Sequence, residues 1–291
     1  MIPKDVAGSR GSGAMIAEAV RVSAEWLRLR EPADAGSRSA ELADRLGRHL
    51  AAAGRMGQPP AGEGPLVIHD LGGGSGAMGR WLAPRLPGPQ HWVVHDRDAD
   101  LLELAVAGAP GPAADGSTVT VEARRSDITL LTPGELAGAS IVTASALLDL
   151  LTPDALTRVL AACGGCPMLL ALTVSGRVKL TPEEPLDALM EAAFNAHQRR
   201  GHKLGPDAVA AVVDQLRGTG AEVLVRPSAW RLDPAHAGLA AGWLDGWVAA
   251  ASEQEPALAA EAGAYRDRRL AQAAAGDLAV TVDHADVLVL P

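Results

Sequence analysis

The sequence predicts an α/β fold in which a doubly wound, mostly parallel sheet carries helices on both faces. Apolar segments of strand length alternate with segments of helical periodicity, which is the pattern of repeated strand–helix–strand units. A cluster of glycines follows the first of these strands. The chain has 291 residues, 48% of them hydrophobic, so it can bury the core that such a sheet requires.

Two helices are expected ahead of the sheet. Residues Met15–Arg30 place apolar side chains at helical spacing, and Pro32 is expected to end this helix because proline lacks a backbone donor. Ser39 can cap a second helix that runs to about Ala53, with leucines spaced four residues apart. These helices are too short to fold alone, so we expect residues 15–53 to cover the ligand-side crevice of the sheet rather than form a separate domain.

Seven segments predict strands of the sheet. They are 66–70, 91–96, 119–123, 140–144, 168–174, 222–232 and 278–290. A helical stretch of about 236–275 separates the last two. Because the first five alternate with helices, we expect them to be parallel.

The most informative segment is the loop after the first strand. Leu66–Ile68 is apolar and predicts a buried strand, and Asp70 follows it. Glycines then stand at positions 72, 73, 74 and 76, where they let the backbone turn sharply and let a ligand approach its amides. Residues Met78–Leu86 continue as a helix, so the loop precedes a helix N-terminus that can hold an anionic group.

Two cofactor interpretations of this loop compete. Gly74, Gly76 and Gly79 satisfy the dinucleotide pattern G-x-G-x-x-G, with Asp96 about 20 residues further on. The longer pattern D-x-G-x-G-x-G, which begins at Asp70, is more discriminating. It resembles the first motif of class I S-adenosylmethionine-dependent methyltransferases. An acid at this point suits the ammonium group of an amino acid, whereas it would repel a pyrophosphate.

The resemblance extends to the ends of the next two strands. In that family an acid after the second strand binds both ribose hydroxyls, and Asp96, followed by Arg97, stands at this position. After the third strand, the resemblance implies that Asp127 accepts from the adenine amine and that Ile128 packs on the ring. The implied cofactor is S-adenosyl-L-methionine. The cofactor-binding residues so implied are Asp70, Gly72, Gly74, Gly76, Asp96, Arg97, Asp127, Ile128 and Ser145.

The resemblance also completes the expected architecture. It implies a Rossmann-like, seven-stranded sheet closed by an antiparallel C-terminal hairpin strand, as in small-molecule methyltransferases of actinobacterial type. The expected parts are a flexible, Gly- and Ser-rich N-terminus over 1–14, a helical cap over 15–60 and a catalytic domain over 61–291 with a substrate-side insertion near 180–205. A Gly/Pro linker at 55–64 marks the start of the catalytic domain.

Two residues are candidate general bases. The resemblance places the substrate at the carboxyl ends of the first, fourth and fifth strands. There the protein must hold a nucleophile near the methyl group and remove its proton if it has one. His197, on the apolar stripe of a helix predicted over about 183–200, is one candidate, and Asp149, after the fourth strand, is the other. The alternatives are a core histidine and a carboxylate that caps or pairs in its own loop.

Other polar groups near the expected site have two interpretations each. The basic cluster at 198–203 either pairs an anionic substrate group or complements the end of a helix. Glu31, Asp34 and Arg38 either close over the site or form a solvated turn. The C-x-x-C pair at 163–166 lacks a second ligand pair, so its glycines are expected to end a helix and no metal is expected.

Composition limits the partners. The net charge is −9 without a broad basic face, which argues against nucleic acid, as does the absence of an Asn-Pro-Pro-Tyr motif after the fourth strand. No apolar run of membrane-spanning length and no signal peptide are present, so we expect no membrane partner and a cytoplasmic location. The expected partner is a small-molecule substrate, and a homodimer stays open.

Three functions are compatible with the sequence. The favoured one is an enzyme that methylates an O or N atom of a small molecule. A nicotinamide-dependent oxidoreductase and a non-catalytic S-adenosylmethionine-binding protein are the alternatives. Tyr265, the single tyrosine, is followed at the fourth position by Arg269 rather than by lysine, which argues against a short-chain dehydrogenase.

Overall fold

The computed structural model describes residues 22–55 and 64–291. The segment predicted as flexible, 1–14, lies outside the described residues. The beginning of the helix predicted over Met15–Arg30 and most of the linker at 55–64 also lie outside them.

The first two helices are α1, Ala24–Ser37, and α2, Ala40–Arg55. The expectation that Pro32 ends the first helix is wrong, because Pro32 lies inside α1. Ala33 and Asp34, which follow it, are buried. Packing of these residues outweighs the local penalty that proline imposes on a helix.

The described strands form one sheet of α/β type. Their bounds are β1 Leu66–Leu71, β2 Gln90–Asp96, β3 Val119–Arg125, β4 Ile141–Ser145, β5 Met168–Thr181, β6 Glu222–Pro227, β7 Trp230–Leu232 and β8 Ala279–Leu290. The strand order is β3-β2-β1-β4-β5-β8-β6, and β7 pairs with β8. Strands β1 to β5 pair in parallel, whereas β6 and β8 pair antiparallel. The predicted mostly parallel sheet with an antiparallel C-terminal strand is confirmed.

The number of strands differs from the prediction. The segment expected as one strand, 222–232, is divided into β6 and β7, so the sheet has eight described strands rather than seven. Pro227 is the last residue of β6. Proline cannot donate to the ladder, which explains why the regular strand stops there.

Helices cover both faces of the sheet. The further helices of the described residues are α3 Ala77–Leu82, α4 Ala99–Ala107, α5 Pro153–Cys163, α6 Asp187–Gln198, α7 Ala208–Leu216, α8 Ala237–Gln254 and α9 Ala259–Ala275. Ile141 of β4 packs in a cluster with residues of α2 and α3. The next residue, Val142, packs in a different cluster with residues of α5 and α7. Side chains alternate along a strand, so the two clusters are the two faces of a doubly wound sheet.

The chain divides into two compact units. We call the larger the sheet unit; it comprises Asp34–Arg177, Gln198–Trp230 and Val282–Pro291. The other, the helical unit, comprises the described residues up to Ala33 together with Val178–His197 and Arg231–Thr281. The predicted boundary near residue 60 falls inside the sheet unit, and the predicted insertion near 180–205 is shared between the units.

One helical prediction is corrected in its limits, and another is confirmed. The helix expected over 183–200 is α6, which ends at Gln198, and Gly201 adopts a left-handed φ of 67° soon after it. The stretch expected over 236–275 is two helices, α8 and α9, with Pro256 between them. Among the described residues, no helix combines the length and the apolar character needed to span a membrane.

Candidate functional site at the carboxyl ends of the strands

The glycine loop lies between β1 and α3. Gly72, Gly74 and Gly76 have φ values of 62°, 53° and 83°, a region that side chains disfavour. At Gly72 space is also limiting, because a Cβ atom would lie 2.8 Å from Cδ1 of Leu147. The backbone of this loop therefore requires glycine for its conformation.

Three amides of the loop are bonded within the protein. The N–H of Gly73 donates to the carbonyl of His95 at 3.0 Å, and the N–H of Gly76 donates to the carbonyl of Gly73 at 2.9 Å. The N–H of Gly74 donates to Oδ2 of Asp96 at 3.0 Å. The following helix, α3, has six residues and continues directly into a short 3₁₀ helix over Ala83–Arg85. Three donors of the loop are thus occupied within the protein, one of them by the carboxylate of Asp96.

Asp70 lies beneath this loop and is fully buried. Its Oδ1 accepts from the hydroxyl of Thr143 at 2.7 Å. Its Oδ2 has no hydrogen-bond partner among the described residues, and a Cβ atom at Gly73 would lie 2.5 Å from it. Burial raises the pKa of Asp70 to about 7. A buried carboxylate oxygen without a donor is a place where a cationic group would be stabilised.

Asp96 connects the end of β2 to the loop. Its Oδ2 accepts from Gly74, and its Oδ1 accepts from the backbone N–H of Asp98 at 2.9 Å. Each carboxylate oxygen can accept more than one hydrogen bond, so these contacts leave capacity for hydroxyl donors. Arg97 is exposed, and its carbonyl accepts from Nε of Arg125 at 3.2 Å.

Asp127 and Ile128 follow β3 in different environments. Asp127 is exposed and caps the short helix Ile128–Leu130, accepting from the N–H and the hydroxyl of Thr129 at 2.9 and 2.7 Å. Burial alone would raise the pKa of Asp127, but the Thr129 bonds and the charge of Arg97 hold it below its usual value. Ile128 is buried in the core cluster on the α5 side of the sheet.

Arg38 reaches the end of β4 from the junction of α1 and α2. Its Nη2 donates to Oγ of Ser145 at 3.0 Å, and its guanidinium lies 5.7 Å from the ring centroid of Trp81. Arg38 is only 5% exposed, and Asp34 is also buried, where its Oδ1 accepts from Nε1 of Trp230 at 2.9 Å. These two residues therefore do not form the solvated turn that was one interpretation of the sequence.

Asp286 of β8 is a buried residue that the sequence did not bring to attention. Its Oδ2 accepts from the backbone N–H of Ser39, and its Oδ1 accepts from that of Leu172, both at 2.7 Å. Leu172 has a left-handed φ of 54° inside β5, and Ala146, after β4, has one of 52°. Such backbone strain within β5 and just after β4 persists only where the surroundings enforce it. A carboxylate immediately before the apolar run Val287–Leu290 is the signal that could have identified Asp286.

Two buried histidines connect the first three strands. Nδ1 of His69 lies 2.9 Å from Nε2 of His95, and Nδ1 of His95 lies 3.0 Å from Oγ of Ser126. Burial lowers the pKa of both histidines to about 4, so the pair is neutral at physiological pH. Sequence reasoning missed this pair, although histidines inside apolar strands are a visible signal.

The two candidate bases lie in different units. Asp149 is buried in the short helix Leu148–Leu150 that follows β4, in the sheet unit. His197 belongs to α6 in the helical unit, where its Nε2 lies 3.5 Å from Oε2 of Glu253. In the basic cluster at 198–203, Arg199 pairs with Asp207 at 2.7 Å. Both roles as a base stay predictions.

The C-x-x-C pair lies at the end of a helix, because α5 ends at Cys163. Gly164 adopts a left-handed φ of 56° and caps α5. Burial raises the pKa of Cys163 and Cys166 to about 12, so neither forms a reactive thiolate near neutral pH. No cluster of metal-ligating side chains occurs in the part of the chain that the structure describes.

Comparison with known proteins gives structural likeness only. No protein-family model and no curated protein matches the chain. A SAM-dependent methyltransferase from Thiobacillus denitrificans, in complex with S-adenosyl-L-homocysteine, is 15% identical, with 93% of this chain and 99% of that chain covered and a TM-score of 0.41. A SAM-dependent methyltransferase from Geobacter sulfurreducens with the same ligand is 13% identical, with coverage of 91% and 98% and a TM-score of 0.41. The cyclopropane synthase MmaA2 from Mycobacterium tuberculosis is 15% identical, with coverage of 92% and 94% and a TM-score of 0.45.

Proposed function

We propose that this chain is an S-adenosylmethionine-dependent methyltransferase that methylates an O or N atom of a small molecule. The observation that carries the proposal is the hydrogen bonding of the glycine loop and of Asp70 beneath it. Its amides at Gly73, Gly74 and Gly76 are bonded inside the protein, whereas the carboxylate oxygen Oδ2 of Asp70 beneath the loop lacks a donor. Such a loop suits a ligand with an ammonium group.

The same observation argues against a nicotinamide dinucleotide. A pyrophosphate needs outward N–H groups at the glycine loop. Here Asp96 occupies the N–H of Gly74, and Asp70 lies below the loop. Two carboxylates beside a pyrophosphate would repel it. The oxidoreductase alternative is therefore disfavoured by the loop itself.

The proposed cofactor contacts follow the order of the strands. Asp70, with Gly72, Gly74 and Gly76, would hold the amino-acid end; Asp96 and Arg97 would hold the ribose; Asp127, Ile128 and Ser145 would complete the site. The bound cofactor would supply a methyl group that is already activated as part of a sulfonium. The protein would then have to orient the acceptor atom and exclude water.

The proposed bases are Asp149 and His197. Asp149 lies four residues after the end of β4 and is buried, which suits a group that takes a proton from a bound acceptor. His197, paired with Glu253, would accept a proton only as the neutral imidazole. The proposal also includes the actinobacterial type of small-molecule methyltransferase. It places the protein in the cytoplasm, where cysteines such as Cys163 and Cys166, which form no disulfide, stay reduced.

Titration calorimetry tests the cofactor. We expect S-adenosylhomocysteine to bind and NAD and NADP not to bind. Asp96→Ala should weaken S-adenosylhomocysteine by about 1.5–3 kcal/mol, because it removes charge-assisted hydrogen bonds to the ribose. Asp98→Ala is the matched control, since Asp98 caps α4 through the N–H of Asp100. Equal affinities for wild type and Asp96→Ala would refute the assignment, and tight NAD binding would replace it with the oxidoreductase.

Methyl transfer itself needs a separate measurement. Wild-type protein is incubated with S-adenosylmethionine that carries a labelled methyl group and with a panel of small hydroxylated and amino compounds. Formation of a labelled product establishes the enzyme. Cofactor binding without product from any acceptor class would favour the non-catalytic alternative.

A further inference from the structure

Strand β6 lies at one edge of the sheet. It comes last in the strand order, beside β8, and the described residues place no other strand against it. An edge strand presents backbone N–H and C=O groups that can pair with a further strand. Val225 of β6 is 37% exposed, so an apolar side chain also stands in solvent at this edge.

The bonds to β8 show which backbone groups of β6 face outward. In the register of the two strands Ser228 follows opposite His284, and the N–H of Ser228 donates to the carbonyl of His284 at 2.9 Å. In an antiparallel pair, residues that bond to the neighbouring strand alternate with residues whose backbone groups point away from it. Val223 and Val225 therefore direct their N–H and C=O groups toward the open edge.

Opposite charges stand at the two ends of β6 on one face of the sheet. Nη2 of Arg226 lies 2.7 Å from Oε1 of Glu41, and Oε2 of Glu222 lies 2.9 Å from Nη2 of Arg45, so both ends face α2. Leu224, between them, packs with the core cluster on that face. The side chains of Arg226 and Glu222 keep 38% and 46% of their surface exposed, so each can meet a second partner.

We propose that β6 pairs antiparallel with β6 of a second copy of this chain, about a two-fold axis at Leu224. In this register Val223 lies opposite Val225 of the second copy, and the outward groups of these residues exchange hydrogen bonds. Glu222 lies opposite Arg226 of the second copy, and the symmetry repeats each contact. Opposite charges directly across two strands stabilise such a pairing.

The charges select this register among those that the outward groups allow. An axis at Val223 or at Val225 would also bring outward groups together, but it would place Leu224 opposite Glu222 or Arg226 and forfeit both charge pairs. With the axis at Leu224, the signs alternate across the junction, from Arg45 and Glu222 of one copy to Arg226 and Glu41 of the other. The strand is thus complementary to itself in one register.

One outward group is covered in the single chain. Nη1 of Arg226 donates to the carbonyl of Val225 at 2.9 Å. In the dimer the N–H of Val223 from the second copy replaces this donor, and the guanidinium turns to Glu222 of that copy. Because one hydrogen bond is exchanged for another and the interface is small, the expected dissociation constant is about 1–100 µM.

Two single variants and their mixture test the pairing in sedimentation equilibrium of the full chain. Glu222→Lys sets two cations opposite each other, and Arg226→Glu sets two anions opposite each other, so each variant should dimerise at least about 10-fold more weakly than wild type. An equimolar mixture should form a heterodimer at about the wild-type affinity, because both cross-strand pairs are then of opposite charge. Glu122→Lys on β3, at the other edge of the sheet, is the matched control and should dimerise as wild type does.

Each other result would overturn the proposed pairing. A wild-type chain that stays monomeric well above the expected dissociation constant would do so, as would a dimer that both variants leave intact. Variants that fail to associate on mixing, or a dimer lost in Glu122→Lys, would also exclude it. If either variant does not fold, as judged by its thermal transition, Val225→Lys decides, because its side chain is exposed and its N–H faces away from β8. A dimer unchanged by that substitution would refute the pairing.

Discussion

The free energy of unfolding of Asp70→Asn, compared with that of wild type, should be higher in alkaline solution than in acid. Asp70 is fully buried, and burial raises its pKa to about 7 from an ordinary value of 3.8. A carboxyl whose pKa is raised by folding contributes stability below its unfolded pKa and loses that contribution as the pH rises through the folded value. Asparagine has no such titration, and its amide oxygen can still accept from Thr143.

The magnitude follows from the interval between the two pKa values. Between pH 5 and the folded pKa of about 7, the free energy of unfolding of the wild type falls by about 1.4 kcal/mol for each pH unit. The free energy of unfolding of Asp70→Asn, relative to wild type, should therefore rise by about 3 kcal/mol between pH 5 and pH 8. Any constant penalty for burying the amide cancels in this comparison between two pH values.

Urea unfolding at pH 5 and pH 8 measures the difference. Asp115→Asn is a control that should show no change between these two pH values, because hydrogen bonds to Ser117 and Gly88 hold the pKa of that exposed carboxylate below its usual range. The same Asp70→Asn protein should bind S-adenosylhomocysteine more weakly at pH 8, where wild-type Asp70 is an anion. An unfolding difference that is the same at both pH values would show that Asp70 does not titrate in a desolvated site, and the reasoning from its burial would fail.

Three further predictions concern the loop, the base and the N-terminus. Gly74→Val should abolish cofactor binding in calorimetry because Gly74 has a φ of 53°; retained affinity would contradict this. His197→Asn should lower turnover by about 10²–10⁴ and leave cofactor affinity within a few-fold, and the wild-type rate should fall in acid as the imidazole protonates. If Glu253→Gln and His197→Asn both melt earlier with normal turnover, the histidine is structural. Deleting 1–14 should leave activity intact, whereas deleting 1–38 should abolish turnover without unfolding the sheet, as circular dichroism would report.

Several features of the site could be predicted because they depend on local sequence. The strand before Asp70, the helix cap at Ser39 and the helix end at Gly164 each follow from residues within a few positions. The order of the acids after β1, β2 and β3 also follows, since parallel strands deliver their carboxyl ends to one edge. The sequence therefore predicted a ligand site at that edge, and the residues that border it stay a prediction.

Other features depend on partners that are distant in the chain. Whether Arg38 is a solvated turn residue or a buried cation was decided by Ser145, 107 positions away, and by Asp286 beside Ser39. The pairing of His69 with His95 depends on the register of β1 against β2. Periodicity identifies a strand but not the residue that faces each of its side chains.

The sequence by itself determined the alternation of strands and helices, the glycine loop and its neighbouring acids, because periodicity, turn chemistry and spacing act over a few residues. The tertiary structure decided that Pro32 lies inside α1 and that folding raises the pKa of Asp70. Those properties depend on burial, and burial is set by segments that meet only when the sheet closes.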